Sequence, residues 1–158
     1  MVAAFYLSFA RPTEASLAAG LLVAAAGLVL RGWATGHLAK NEKLATSGPF
    51  AYTRNPLYLG SLTAAAGFAV AGWNPWPALA FALYFALVYL PAIGEEESHL
   101  RRLFPEYAEY AARVPRLALR LSPAYGRGRF RWSLYRRNRE YQALLAYVTV
   151  AALLISKL

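Results

Sequence analysis

The sequence predicts an all-α integral membrane bundle of about four to five transmembrane helices, with its functional site at one membrane face. Three observations carry that expectation. Four apolar stretches of about 16 to 20 residues, at 15–34, 57–73, 76–93 and 141–156, are each near the length that crosses a bilayer. Hydrophobic residues make up 58% of the chain and charged residues 16%. A soluble helical bundle needs helices with a polar face, and these stretches have almost none. Finally, the net charge of +9 gathers between the apolar stretches on one side, which by the positive-inside rule faces the cytoplasm of an inner or plasma membrane.

Residues 1–9 are apolar but, at about 1.5 Å per residue, reach only halfway through a bilayer. They are expected as a half-inserted helix or the remnant of a longer span, with no basic n-region or cleavage site of a signal peptide. Arg11-Pro12-Thr13 ends that segment, and Thr13 with Glu14 starts the first full span. Its small residues, Gly20 and Gly27 among them, form a face on which another helix can pack closely. Arg31 and Trp33 are expected at headgroup level. From Gly36 to Asn55 the chain is polar enough to leave the hydrocarbon. Asn55 is then an expected N-cap, and Pro56 is tolerated at the first helical position because its missing N–H would be unpaired there anyway.

The second span ends in Gly72-Trp73-Asn74-Pro75-Trp76-Pro77, a turn with interfacial tryptophans, and the third returns to Glu95-Glu96-Glu97. Two intervening spans put the Leu44 to Asn55 loop and the glutamates at the same face. Helical phase sets Glu96 inward with Leu100, Leu103 and Phe104, and Glu95 outward with Arg102. Glu96 is therefore the expected functional carboxylate. Pro105 interrupts this helix, and Pro115 closes the segment after it. Residues 118–139 form a basic, aromatic connector suited to anionic lipid headgroups, and 140–157 the last span. The arginines lie beside apolar spans and not on a soluble recognition motif, which argues against nucleic acid. The whole chain, 1–158, reads as a single membrane domain.

With no cysteine, disulfides, thiolate zinc sites and cysteine nucleophiles are excluded. Two histidines cannot build a multi-histidine di-iron site, and Glu96-x-x-His99 is half of a carboxylate di-metal motif with no second copy, so no metal site is expected. No phosphate loop, dinucleotide fingerprint or Ser-His-acid pattern stands out. What remains suits a zwitterionic or cationic ligand. Arg54 and the free N–H groups after Asn55 can hold a carboxylate. Glu96, Phe50 and Tyr58 can stabilise positive charge through a carboxylate and π-faces. On spacing alone, a hairpin loop with a capped helix and a solvated acidic helix start accounts for these residues at least as well.

The runs LATSGPFAYTRNPLYLGS and EEESHLRRLFPEYAEYAARVPRL, however, resemble the signature of the isoprenylcysteine carboxyl methyltransferase family and its phospholipid methyltransferase relatives, over about residues 32–117. The resemblance implies an integral membrane enzyme using S-adenosylmethionine. It implies cofactor contacts from Glu42, Lys43, Leu44, Ala45, Phe50, Asn55, Pro56, Leu57, Tyr58 and Glu96, with Glu96 near both cofactor and substrate and Arg54 as the motif arginine; Glu96 and Arg54 are the candidate catalytic pair. The implied acceptor is a lipid-like or prenylated small molecule, foremost a carboxylate. Alternatives are a phospholipid or small-amine N-methyltransferase, a nicotinamide-dependent sterol reductase, and a non-enzymatic membrane scaffold. Asn55 stands where the motif commonly has histidine, and Ala92 about where prenylcysteine enzymes carry a substrate-contacting arginine. The first departure removes a titratable group; the second weakens the prenylcysteine assignment.

Overall fold

A computed structural model describes residues 2–126 and 128–158, with side chains from Tyr6 onward; Met1, and Arg127 in the basic connector, lie outside the described residues. Among the described residues the secondary structure is helical, with no strand. The helices are α1 (Val2–Phe9), α2 (Glu14–Thr35), α3 (Pro56–Ala71), α4 (Pro75–Leu103), α5 (Tyr107–Arg113), α6 (Trp132–Arg137) and α7 (Tyr141–Ile155). By length and composition α2 and α4 can cross a membrane, whereas α3 and α7 are apolar but shorter. Of the four expected spans, two thus have full length.

Thr13 starts α2 through a reciprocal cap. The Ser16 N–H donates to the Thr13 hydroxyl at 3.1 Å, and the Thr13 N–H donates to Ser16 Oγ at 2.9 Å. Below this cap, α2 lies antiparallel along α3 with backbone against backbone. A Cβ added at Gly20 would stand 2.5 Å from the Gly67 carbonyl oxygen, and one at Gly27 would stand 2.5 Å from the Ala64 nitrogen. The seven-residue glycine spacing of α2 is matched by Gly60 and Gly67 of α3, so two close approaches recur along one seam.

The end of the bundle remote from the polar loops closes around Ala10, Leu17, Ala71 and Leu154. There the Arg11 N–H donates to the Gly72 carbonyl at 2.8 Å, and Tyr6 donates to the Phe68 carbonyl, which tucks α1 against the end of α3. On its other flank, Tyr147 of α7 donates to the Leu21 carbonyl at 3.0 Å.

Asn74 caps α4 by accepting from the Trp76 N–H at 3.0 Å. The helix then widens into a π turn over Phe85–Tyr89, where the Leu90 N–H reaches the Phe85 carbonyl. Pro91 comes two residues after it; it has no N–H for the carbonyl one turn back, and its ring crowds that turn, so the widening relieves a strain that the sequence creates. Leu79, Leu83, Leu87 and Val88 remain exposed along α4. An exposed apolar face of this extent is what lipid would cover.

Candidate functional site

The loop between α2 and α3 is shaped by its own glycine and by the far end of the chain. Gly48 has φ +59°, and a Cβ there would meet the His37 ring at 2.8 Å, so only glycine fits this turn. The 3₁₀ turn Gly48–Ala51 buries Phe50, whose carbonyl accepts from the Tyr110 hydroxyl at 2.8 Å. The segment after α5 straps onto this turn. The Arg54 N–H donates to the Pro115 carbonyl at 2.9 Å, the Arg120 N–H to Tyr52 at 3.1 Å, and the Ala124 N–H to Ala51 at 2.9 Å.

A cleft of about 630 Å³ opens between this loop, the first turn of α3 and the last turns of α4. It takes in Lys43, Leu44 and Ala45 from the loop, Phe50 from the turn, Arg54, then Asn55, Pro56, Leu57 and Tyr58 at the start of α3, and Glu96 from α4. The two halves of the sequence signature therefore line one cavity. Glu42 does not; its carboxylate is drawn to the surface, where it pairs with Arg137 at 2.8 Å. Ala92 lines the wall without a charge.

Three consecutive glutamates have three different surroundings. Glu95 is exposed at the cleft rim. Glu96 faces the cleft and accepts from the Tyr58 hydroxyl at 3.1 Å; the Tyr58 ring packs edge-on against Tyr89, with centroids 5.4 Å apart. Glu97 is largely enclosed and lies between two guanidinium groups, 3.4 Å from Arg54 Nη2 and 3.4 Å from Arg116 Nε. Asn55 donates to Glu97 at 3.2 Å and to the Arg116 carbonyl at 3.0 Å. The expected Asn55 side-chain cap is absent, since the amide is engaged in joining α3 to α4 and the strap. Nor is the helical phase quite the expected one. Leu103 is exposed, and the packed face of α4 runs through Ile93, Glu97, Leu100 and Phe104.

Sequence reasoning also missed Arg31. Expected at headgroup level with no partner named, it lines the cleft, where its Nε donates to Glu140 at 2.7 Å and its Nη1 to Ser61 and to the Leu57 carbonyl. Glu140 is buried at the head of α7, so this ion pair ties α2, α3 and α7 together beside the cleft. No spacing rule links Arg31 to a partner so far along the chain. Tyr107 and Tyr110 complete the wall below Arg54. Burial, with the nearby Glu97 charge adding to it, pushes the Tyr107 hydroxyl up to about 12; Tyr110 is raised too, chiefly by burial. Both are neutral donors at ordinary pH.

The profile of the phospholipid methyltransferase family matches residues 16–107. Over 121 residues the chain is 36% identical to the cobalt-zinc-cadmium resistance protein CzcN of Cupriavidus metallidurans, covering 75% of this chain and 55% of that protein. Over 112 residues it is 34% identical to the nickel-cobalt-cadmium resistance protein NccN of Alcaligenes xylosoxydans, covering 70% and 53%. It is also 33% identical over 102 residues to protein-S-isoprenylcysteine O-methyltransferase B of Arabidopsis thaliana, covering 61% and 52%. The chain thus spans about half the length of the curated relatives it matches. No solved structure matches it. The profile match extends from α2 through both halves of the cleft, and on it the chain belongs to the phospholipid methyltransferase family, which includes the isoprenylcysteine methyltransferases.

Proposed function

We propose that this protein transfers a methyl group from S-adenosylmethionine to a membrane-embedded, lipid-like acceptor, foremost a carboxylate. The observation that carries the reading is the single cleft shared by Phe50, Tyr58, Tyr89 and Glu96, in which a carboxylate and aromatic faces converge beside an arginine. Such a lining fits a zwitterion that also bears a sulfonium. When bound, S-adenosylmethionine supplies an electrophilic methyl carbon on a positively charged sulfur. Glu96, Phe50 and Tyr58 stabilise that positive charge, while Leu44, Leu57 and the buried turn limit water. Transfer to an acceptor carboxylate would make a C–O bond at the expense of the C–S bond, and the residues lining the cleft would hold donor and acceptor in line for it. No proton needs removal, so positioning supplies most of the rate.

A phospholipid or small-amine acceptor is the second reading, supported by Glu95 and His99 at the rim, either of which could accept the proton an amine must lose. The names of the two bacterial relatives concern metal resistance. Among the described residues no group of three or more His, Cys, Asp or Glu could hold a metal ion.

Incubating purified protein with methyl-labelled S-adenosylmethionine and a membrane lipid extract should yield labelled lipid. Base-labile label indicates an ester and stable label an N-methyl group, whereas no label and no calorimetric binding of the cofactor or its demethylated product would sink the reading. Glu96→Gln should lower cofactor affinity or turnover by roughly tenfold or more, as expected for a partly desolvated charge partner, and Glu95→Gln by much less. Equal losses in the two variants would remove Glu96 from its role. We place this face in the cytoplasm on the arginine and lysine asymmetry. Single cysteines at Ser47 and Ser98 should both label from that side, and opposite sidedness would overturn the assignment.

A further inference from the structure

The base of the cleft has more buried donors than acceptors. Around the one carboxylate of Glu97 stand Arg54, Arg116, the Asn55 amide and Tyr107. Arg54 Nε and the Tyr107 hydroxyl are buried and make no hydrogen bond of good geometry, the hydroxyl lying beside the Glu97 carboxylate, while Arg116 Nε is held by its 3.4 Å ion pair with Glu97. Tyr107 is 1% exposed, so bulk water does not reach it. Buried polar groups are paired in the great majority of cases, and poorly paired donors gathered on one cavity wall ask for a missing partner. Charge points the same way, since two guanidinium groups face one carboxylate and leave an excess of positive charge.

We infer that Arg54 and Tyr107 form a carboxylate-binding subsite at the base of the cleft, with Glu97 and Arg116 holding the arginine in place behind it. Both residues line the cavity, and an incoming carboxylate would give the Arg54 Nε–H and the Tyr107 O–H the well-placed acceptors they lack. Glu97 serves as a positioning residue: it fixes one edge of the Arg54 guanidinium through Nη2 and so leaves Nε for the ligand. Tyr107 lies inside the second half of the sequence signature, where the resemblance gave it no role. The carboxylate can belong to the methyl donor's amino-acid part or to the lipid acceptor. The first source rests on the proposed methyl-donor reading and the second does not.

The test compares two ligand pairs by calorimetry on the full chain in detergent. One pair is S-adenosylhomocysteine and its decarboxylated analogue; the other is a farnesylated cysteine and its methyl ester. In the wild-type protein, one pair should show about a tenfold or greater preference for the carboxylate, the size of a charge-assisted hydrogen bond. Tyr107→Phe should abolish most of that preference and leave the thermal midpoint unchanged or raised, because it removes a donor that is poorly paired without ligand. Arg54→Lys keeps the charge but loses the fork, and should reduce the same preference.

Preference within the adenosyl pair identifies the donor as the source, and preference within the cysteine pair identifies the acceptor. If neither adenosyl compound binds while the cysteine pair shows the effect, the methyl-donor reading fails and the subsite stands. If neither pair shows a preference, or if Tyr107→Phe leaves it intact, the subsite is overturned and these donors are satisfied within the wall by Glu97.

Discussion

Replacing Glu97 with alanine should lower the unfolding free energy by roughly 3 kcal/mol, at the low end for a broken buried ion pair. Arg54, with only 14% of its side chain exposed, would be left facing the donors of Tyr107 and Asn55 with no counter-charge. Arg116 is 41% exposed and can swing toward water, which keeps the loss from reaching the top of the range. The comparison within the same chain is Glu109→Ala. That residue pairs with Arg113 on the open surface, both partners being more than half exposed, so the change should cost well under about 1 kcal/mol. Heating each variant in detergent and following the loss of monodisperse protein would read the difference. Equal midpoints would mean that Glu97 is solvated and that the strap after Pro115 holds itself.

Gly67→Leu should destabilise by roughly 3 kcal/mol, the upper part of the usual overpacking range. A Cβ at Gly67 would lie 2.6 Å from the Gly20 carbonyl oxygen and nearly on the Ala24 nitrogen, and backbone cannot rotate away as a side chain can. Separating α2 from α3 would also pull Arg31 from Ser61, so the proposed cofactor binding should fall with stability. Gly126→Ala is the control, because a Cβ there meets nothing within 4 Å. A Gly67→Leu variant as stable as that control would show that the seam can slide and that close helix approach is dispensable.

The sequence revealed the features that depend on neighbours in the chain. The Thr13 start of α2 was legible because Ser16 is three residues away, and the glycine seam because its repeat lies on one helix. The resemblance, with a two-span argument from apolar lengths, brought the loop and the glutamates to one side. What escaped depends on distant partners. Glu97 looked like one more acidic residue, since Arg116 arrives from a strap folded back after Pro115. Glu42 is turned away by Arg137, and Arg31 is drawn inward by Glu140. Helical phase, read forward from Glu96, put Leu103 on the packed face, but Leu103 is the last residue of α4 and stays exposed; nothing in that reading signalled the π turn at Phe85–Tyr89.

That turn makes the regularity of α4 and the competence of its last turns competing demands. Straightening 85–89 into plain α at the same length would restore regular backbone bonds there and crowd the turn ahead of Pro91. Every side chain beyond it would then rotate by about 100°, the angle of one helical residue. Glu97 would swing out of the gap between Arg54 and Arg116, and Glu96 away from Tyr58. The irregularity behaves like an inserted residue that indexes the apolar part of the helix against its polar end, so a more ideal helix would take the cleft apart.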